Sequence, residues 1–536
     1  MPFFKSNDLK IWTGGEWKQL SKDITINKFS TDTRTLEKGD AFVCLVGERD
    51  GHEFAKTAQE LGASAIIASK ELDGIEIPVL QVADTLKALQ TVAKMHRLRL
   101  DYPVVGVTGS CGKTFTKELL AKILAWRSPC YSEKNLNNQL GVALSLLKAD
   151  CKSNNLAVIE AGVSHPGEMD VLASMIEPDI AVITNVAASH LAGFGEIKQI
   201  AKEKAKLAEH CAEGGYCVMP ASLLSWKSFD ELKCKKAIAL PMDAPETKAD
   251  LVFRYQIGYM PDKCSIEIYL EGGNEYSFET PLMSRGNAED AVLAIIVSLM
   301  LGCKEELIYT GIENTENVGY RNLFANTENA EYFIDCYNAN PTSMKDSLEF
   351  FELKSKGAPQ RTFVLGSMAE LGISTLSYHR EIANHIQHRE NDRAILVGES
   401  ANIYKDAMLE NGWNESEITV CESAQEVKPL LENASGFVFL KGSRKYALEN
   451  ALPDSVVNAI NGGAPKAEEA AGDEKPESES AQPVLPENDG EHPHAQSLLD
   501  SIDESDDESE EHHFCDDDDF DDESEDMQID KDIERF

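Results

Sequence analysis

The sequence predicts an α/β protein whose parallel sheets are covered by helices, and three observations support this class. Short apolar strands alternate with helical segments along most of the 536 residues. One strand rich in β-branched residues, 104–108, leads through a glycine-containing turn straight into a helical pattern. The chain is also too long for a single hydrophobic core, which predicts about two to four domains.

Residues 1–82 are predicted to form a small α/β domain, and a helix over 83–100 then leads into the strand at 104–108. Within this first domain, apolar runs indicate three strands and one helical segment. The strands are expected at 40–45, 65–68 and 79–82, and the helix at 53–61.

The alternation of strands and helices continues to residue 460, which predicts a central domain over 83–317 and a C-terminal domain over 318–460. The central domain is expected to contain further strands at 156–160 and 180–184 and helices at 198–210 and 288–301. The C-terminal domain is expected to contain strands at 332–335, 362–366, 394–398 and 436–440 and helices at 343–352 and 376–388.

The turn after strand 104–108 reads TGSCGKT, which is a shortened phosphate-binding loop with Val107 at the place of the first glycine of the general pattern. Its glycines allow a tight backbone whose N–H groups can point at phosphate oxygens. Lys113 can reach the phosphates, and the Thr114 hydroxyl can hold Mg²⁺. The alternative is a strand–turn–helix junction that binds nothing. The residues expected to bind a nucleotide are Thr108, Gly109, Ser110, Cys111, Gly112, Lys113 and Thr114.

Other candidate site residues follow two further strands. Glu160 ends an apolar strand, and a carboxylate there can bind Mg²⁺ beside a phosphate loop. His190 follows the strand at 180–184, although a lone histidine is more often a surface or core residue. Lys204 lies with two other lysines on an alanine-rich helix, where a solvated basic face is the simpler interpretation.

Composition excludes several classes of protein. The net charge is −41, and residues 461–536 contribute −25 of it through 29 acidic and 4 basic residues. This segment is predicted to be a disordered acidic tail, either a solvated tail without function or one that recruits a partner. The remaining acidic charge disfavours nucleic acid as a partner. We expect no membrane span and no secretory signal, and the twelve scattered cysteines favour a reduced, cytoplasmic protein.

Several segments together resemble the Mur ligase family, in both order and spacing. In addition to TGSCGKT, the central segments are NLNNQLGV (135–142), IEAGVSHPGEM (159–169), TNVAASHLAGFG (184–195) and IAKEKAK (200–206). The segments nearer the two ends are FSTDTR (29–34), GDAFVCLVGERDGHEF (39–54), IDCYNANPTSM (334–344), GSMAELG (366–372) and KGSR (441–444). The resemblance covers roughly residues 25–450, and the last segments are similar to the branch of the family that adds a dipeptide.

The resemblance implies a three-domain architecture, with a UDP-sugar domain, a central ATP-binding domain and a Rossmann-like C-terminal domain. It also implies a cytoplasmic, monomeric ligase of peptidoglycan precursor synthesis that uses ATP and Mg²⁺. Such a ligase joins D-alanyl-D-alanine to a UDP-N-acetylmuramoyl-tripeptide through an acyl phosphate.

The resemblance assigns expected roles to individual residues. Lys113 would contact the phosphates, Thr114 and Glu160 would hold one Mg²⁺, and His190 would help to hold a second. Lys204 matches a lysine that becomes carbamylated, which would make it a metal ligand. Arg321 would meet the γ-phosphate. The nucleotide side would include Asn287 and Asn338, and the substrate side would include Ser30, Asp32, Thr33, Arg34, Asn135, Asn137, Asn138 and Asn340.

The chain departs from the family pattern at five positions. The adenine-side pattern GxHNxxNA keeps Asn287 but has Ser284, Gly286 and Asp290 at its first glycine, histidine and second asparagine. An expected aspartate is Ser367, and the acidic residue expected after the carbamylated lysine is Lys206. Two alternatives therefore remain open: a sister ligase that adds one amino acid, and a weakly active scaffold that binds nucleotide-sugar and recruits a partner through its tail.

Overall fold

The computed structural model describes residues 3–270, 273–314 and 319–461. The acidic tail predicted for 461–536 lies outside the described residues apart from Asn461, and so does the predicted boundary between 317 and 318. The described residues form a small two-stranded sheet and three larger sheets that follow one another along the chain.

The N-terminal sheet has the strand order β2-β7-β6-β5-β4, and β4 to β7 run parallel. The strands in this part of the chain are β1 (Phe4–Lys5), β2 (Glu16–Lys18), β3 (Thr25–Ile26), β4 (Phe29–Ser30), β5 (Ala41–Val43), β6 (Ala65–Ala68) and β7 (Val79–Gln81). The helices are α1 (Ser6–Thr13), α2 (Ala55–Glu60) and α3 (Thr85–Arg97). The predicted helix at 53–61 begins as a 3-10 turn (Gly51–Phe54), because Asp50 caps the backbone at His52.

The central sheet has the order β16-β15-β14-β13-β12-β11-β8-β10-β9. Its strands are β8 (Val104–Thr108), β9 (Cys130–Tyr131), β10 (Ala157–Glu160), β11 (Ile180–Ile183), β12 (Tyr216–Pro220), β13 (Lys235–Pro241), β14 (Leu251–Tyr259), β15 (Lys263–Leu270) and β16 (Glu275–Pro281). Its helices are α4 (Lys113–Ile123), α5 (Gln139–Leu147), α6 (Glu168–Ile176), α7 (Leu191–Phe194), α8 (Ile197–Glu209), α9 (Lys227–Asp230), α10 (Arg285–Met300) and α11 (Glu305–Glu313).

The prediction of parallel sheets is correct for one part of the central sheet and incomplete for the other. Strands β8 to β13 pair in parallel, and every residue of β8 is buried, as expected of a strand covered on both faces. Strand β14 also pairs in parallel with β13, whereas β15 and β16 form an antiparallel extension beyond it. Burial alternates along β15, so this strand lacks a continuous apolar run of the kind from which β8, β10 and β11 were predicted.

The C-terminal sheet has the order β17-β18-β22-β19-β20-β21 and is parallel except for its edge strand β17. Its strands are β17 (Leu323–Asn326), β18 (Ala330–Ile334), β19 (Arg361–Gly366), β20 (Arg393–Val397), β21 (Ile418–Cys421) and β22 (Gly436–Lys441). Its helices are α12 (Pro341–Lys354), α13 (Thr375–His385), α14 (Ala401–Glu410), α15 (Ala424–Leu431) and α16 (Asp454–Asn461). Among the described residues, every helix is too short or too polar to cross a bilayer.

A buried ion pair fixes the start of β19. Arg361 is 1% exposed, and its guanidinium donates two hydrogen bonds to the Asp392 carboxylate, which is equally buried. A third donor reaches Glu352. Because both charges are out of water, each depends on its partner for compensation.

We therefore predict that Asp392→Ala lowers the free energy of unfolding by about 3–5 kcal/mol, since it leaves the Arg361 charge buried with one fewer partner. Hydrogen exchange of peptides from β19 and β20 in increasing urea measures this. The control is Glu415→Ala, which removes the exposed ion pair between Glu415 and Lys405 and should leave exchange unchanged. Equal effects of the two variants would contradict the prediction.

Candidate functional site

The loops that follow three neighbouring parallel strands meet at one edge of the central sheet. Strand β8 lies between β10 and β11, and the register pairs Val107 with Glu160 and Thr108 with Ile183. The carboxyl ends of the three strands therefore lie level with one another. The phosphate loop, Glu160 and the loop that leads to His190 all begin at this edge, which is where ligands bind in open α/β sheets.

The phosphate loop turns tightly into α4. Gly112 adopts a φ of +77° at the N-cap, and the helix begins at Lys113. The Asn185 side chain accepts a hydrogen bond of 2.9 Å from the backbone N–H of Cys111 and so fixes the loop from β11. The Lys113 ammonium donates to the Gly109 carbonyl at 2.8 Å. A positively charged side chain and the N-terminus of a helix thus face the same space, as an anion site requires.

Glu160 is a buried carboxylate with one oxygen available to a ligand. The residue is 1% exposed. Its Oε1 accepts hydrogen bonds from Asn137 at 2.9 Å and from the Thr114 hydroxyl at 3.2 Å, whereas its buried Oε2 has no hydrogen-bond partner among the described residues. A buried carboxylate oxygen of this kind beside a hydroxyl is a donor set that suits Mg²⁺.

Lys204 lies beneath the phosphate loop and not on a solvated face. Its side chain is 2% exposed, and its Nζ donates to the Gly109 carbonyl at 2.7 Å. Burial and the nearby charge of Lys113 lower the pKa of Lys204 well below its usual value. The interpretation as an ordinary surface lysine is therefore excluded.

His190 connects the central sheet to the C-terminal sheet. Its backbone is left-handed, with φ +52°, and its Nδ1 contacts the carboxylate of Glu370. The Ala192 amide also donates to the Glu370 carbonyl at 2.9 Å. Burial lowers the pKa of His190, although Glu370 opposes that shift. A carboxylate on Nδ1 fixes the ring orientation and leaves Nε2 to face a ligand.

The C-terminal sheet supplies the opposite wall of the site. Asn340 caps α12 by accepting from the Ser343 amide at 2.9 Å, and its Nδ2 lies 3.0 Å from Sγ of Cys111 in the phosphate loop. Arg321 stacks on the ring of Tyr337, with its guanidinium 3.5 Å from the ring centroid. The two sheets thus meet across the nucleotide side of the site.

A cleft of about 1130 Å³ joins these groups. The predicted residues that line it are Ser110, Cys111, Gly112, Lys113, Thr114, Asn135, Asn137, Asn138, Glu160, His190, Asn287, Arg321, Asn338 and Asn340. The predicted residues that do not line it are Ser30, Asp32, Thr33, Arg34, Thr108, Gly109 and Lys204. Thr108 and Lys204 are buried beneath the loop.

The predicted UDP-sugar residues lie in and after β4 of the N-terminal sheet. Arg34 pairs with the Asp32 carboxylate at 2.6 Å, and its hydrogen bonds lower the pKa of Asp32 to about 2. The Ser30 hydroxyl donates to the Asp32 carbonyl at 3.0 Å. The structure therefore groups these residues with one another and not with the phosphate loop.

Two of the five departures from the family pattern point away from the cleft. Lys206 pairs with Asp170 at 2.7 Å and with Glu203 at 2.9 Å, which joins α8 to α6. The Ser367 hydroxyl donates to the Val397 carbonyl at 2.9 Å and holds the end of β19 against β20.

The other three departures lie at the start of α10. Ser284 caps the helix by accepting from the Asn287 amide. Asp290 is buried against the phosphate loop, where a Cβ on Gly112 would overlap its carboxylate. Burial raises the pKa of Asp290 well above its usual value. The Gly286 amide donates to Asp346 of α12 at 2.8 Å.

Sequence reasoning missed two buried charged residues that line the cleft. Lys441, at the end of β22, contacts the carboxylate of Asp335 at the end of β18, and these strands are neighbours. The Ser347 hydroxyl also donates to Asp335, at 2.7 Å. Both charged residues lie in segments that resemble the family, KGSR and IDCYNANPTSM, and their positions at parallel strand ends were the available signal.

The chain is similar in sequence and in fold to known ligases. Family models for the Mur ligase middle domain and for the Mur ligase glutamate ligase domain match residues 107–298 and 322–444. The UDP-N-acetylmuramoyl-tripeptide–D-alanyl-D-alanine ligase of Escherichia coli is 31% identical, over 80% of this chain and 94% of that protein. The Bacillus subtilis ligase of the same name is 30% identical, over 82% and 95%. A crystal structure of MurF from Acinetobacter baumannii superposes with a TM-score of 0.73 at 27% identity, over 85% of this chain and 99% of that one.

We predict that Gly112→Ala weakens binding of ATP by at least about tenfold, because the added Cβ displaces the loop that presents its N–H groups. The matched control is Gly214→Ala. Gly214 has φ +78° but open space around its Cβ position, so it incurs only the strain of the left-handed backbone. Isothermal titration with ATP and thermal unfolding should separate the two variants. An equal loss of ATP affinity in both would show that contact with Asp290 is irrelevant.

Proposed function

The chain belongs to the Mur ligase family, within it to the UDP-N-acetylmuramoyl-tripeptide–D-alanyl-D-alanine ligases, and we propose how its cleft performs their reaction. The enzyme joins D-alanyl-D-alanine to UDP-N-acetylmuramoyl-tripeptide in the synthesis of peptidoglycan precursors. One observation carries the assignment of the reaction to this cleft. Lys113, Thr114 and Glu160 of the central sheet face Arg321 and Asn340 of the C-terminal sheet across one space.

The first step is transfer of the γ-phosphoryl group of ATP to the terminal carboxylate of the tripeptide. A carboxylate oxygen forms a bond to phosphorus, the bond to the β,γ-bridging oxygen breaks, and ADP leaves. Such a transfer depends on position and on neutralisation of charge. Lys113 and the amides of the phosphate loop hold the phosphates, and Arg321 approaches them from the C-terminal sheet.

The second step forms the amide bond. The amine of D-alanyl-D-alanine attacks the carbonyl carbon of the acyl phosphate, a tetrahedral intermediate expels inorganic phosphate, and the nitrogen loses a proton. Asn338 and Asn340 lie at the wall from which the dipeptide would approach, and Asn135, Asn137 and Asn138 lie at the opposite wall. Because two sheets supply the two walls, the site is complete only when they are close together.

The residues present fit Mg²⁺. Thr114 and Glu160 would hold one ion, and His190, oriented by Glu370, would contribute to a second together with a carbamylated Lys204. The metal supplies charge neutralisation at the transferring phosphoryl group. A carbamate forms when a neutral lysine amine adds to CO₂ and loses a proton, which converts a cation into an anionic oxygen ligand.

The UDP-sugar is proposed to bind at the N-terminal sheet. The residues that would contact it are Ser30, Asp32, Thr33 and Arg34. Monomeric action in the cytoplasm belongs to the same proposal. The acidic residues 461–536 are either a solvated tail without function or a segment that recruits a partner. Recruitment rests on charge alone, since the tail carries a net charge of −25.

Phosphate release in the presence of UDP-N-acetylmuramoyl-tripeptide, D-alanyl-D-alanine, ATP and Mg²⁺ tests the function. We predict that omission of any one component abolishes the ligated product, identified by mass spectrometry.

Lys113→Ala should lower turnover by about a hundredfold or more. Lys122→Ala changes an exposed lysine of the same helix and should be neutral. Product formed with a single amino acid in place of the dipeptide would favour a sister ligase, and near-normal turnover of Lys113→Ala would exclude the proposed site.

Lys204 is predicted to act as a carbamate. Lys204→Ala should lose activity, and added short-chain carboxylates should restore part of it, because they can occupy the same anionic position. Lys202→Ala changes an exposed lysine of the same helix and should show neither loss nor rescue. Full activity of Lys204→Ala would refute this role.

A further inference from the structure

The start of α10 is held by a residue of another sheet. The first amides of a helix have no partner within the helix and need one from outside. Ser284 satisfies the Asn287 amide at 3.3 Å, and the Asp346 carboxylate accepts from the Gly286 amide at 2.8 Å. Asp346 belongs to α12 of the C-terminal sheet, so this cluster joins the two walls of the cleft.

We propose that Asp346 is a positioning residue that keeps the cleft closed by fastening α12 to the start of α10. The proposal rests on the proposed function, since closure matters only if both walls act on the same substrates. It assigns a role in the reaction to a residue that does not itself need to touch the reacting atoms.

The glycine at 286 makes this contact possible. A Cβ built on Gly286 would lie 3.0 Å from Asp346 Oδ2 and 3.2 Å from its Cγ, closer than neighbouring atoms normally approach. A larger residue there, such as the histidine of the family pattern, would crowd the Asp346 carboxylate and disturb its contact with α10. The departure at Gly286 therefore has a consequence that reaches beyond recognition of the base.

Asp346 lies on the same helix as a residue that contacts the phosphate loop. Asn340 caps α12 and contacts Cys111, and Asp346 follows less than two helical turns later. When Asp346 is bonded to α10, the start of α12 is held at two points against the central sheet. Asn340 is thereby kept beside the phosphates, and the loop that carries Asn338 is kept beside it.

The contact does not require a charged carboxylate. Burial raises the pKa of Asp346, and the hydrogen bonds from Ser284 and Gly286 oppose that shift. A carboxyl or amide oxygen also accepts from a backbone N–H, so Asp346→Asn should preserve closure. Loss of one such bond changes the ratio of closed to open molecules by about three- to thirtyfold.

The closure can be measured without turnover in the ligand-free full-length chain. The Ala192 amide of α7 donates to the Glu370 carbonyl across the two sheets, and this contact involves neither α10 nor α12. Hydrogen exchange at Ala192 therefore reports closure at a second point. The variants are Asp346→Ala, Asp346→Asn, Gly286→Ala and the double variant of Asp346→Ala with Gly286→Ala. The control is Asp406→Ala, which removes an exposed aspartate of α14.

Asp346→Ala and Gly286→Ala should each accelerate exchange at Ala192 by about three- to thirtyfold, while Asp346→Asn and Asp406→Ala match the original chain. Exchange at Ala192 in the double variant should be no faster than in Asp346→Ala alone, because the carboxylate that the new Cβ would crowd has already been removed. In the ligation assay, KM for ATP and for D-alanyl-D-alanine should rise in Asp346→Ala, with kcat changed by less than about threefold.

Two results would overturn the proposal. Unchanged exchange at Ala192 in Asp346→Ala would show that Asp346 caps α10 only locally. Additive effects of the two substitutions in the double variant would show that Gly286 and Asp346 act independently. If Asp346→Ala fails to fold, as circular dichroism would show, exchange at Ala192 in Gly286→Ala still decides the question, and unchanged exchange there would overturn the proposal. Failure of the original chain to ligate would refute the proposed function, whereas the exchange result would stand by itself.

Discussion

The site depends on the register of three parallel strands, because that register brings a buried carboxylate and a phosphate loop to the same depth. Glu160 ends β10 one strand away from the loop that follows β8. A charge at 1% exposure is costly unless it is paired or bound. Asn137 and Thr114 satisfy one of its oxygens, and the other remains for a cation. A shift of β10 by one residue would turn this side chain to the opposite face of the sheet and remove the proposed metal ligand.

The second constraint is the division of the site between two sheets. The central sheet supplies the phosphate loop and Glu160, while the C-terminal sheet supplies Arg321 and Asn340. Contacts between the two sheets lie on both sides of the cleft, at His190 with Glu370 and at Cys111 with Asn340. One buried apolar cluster also includes residues of both sheets, among them Leu191 and Leu371. Opening of the cleft to admit substrates would therefore break polar contacts and separate some apolar surface as well.

The sequence predicts what local chemistry determines and misses what the tertiary fold determines. The strand at 65–68 and the phosphate loop were predicted because apolar runs and glycine positions are local signals. The pairing of His190 with Glu370 joins residues 180 positions apart, and no periodicity reveals it. Lys204 was ambiguous for the same reason, since three lysines on one helix look alike until the fold buries one of them beneath Gly109.

The charge balance of the cleft explains why ATP would need a metal there. Lys441 forms a salt bridge with Asp335, so the negative charge of Asp335 largely neutralises it. Burial and the nearby charge of Lys113 lower the pKa of Lys204 well below its usual value. A triphosphate in this cleft would lie close to the buried carboxylate of Glu160. A divalent cation between this carboxylate and the phosphates would reduce the repulsion between the two groups of negative charge.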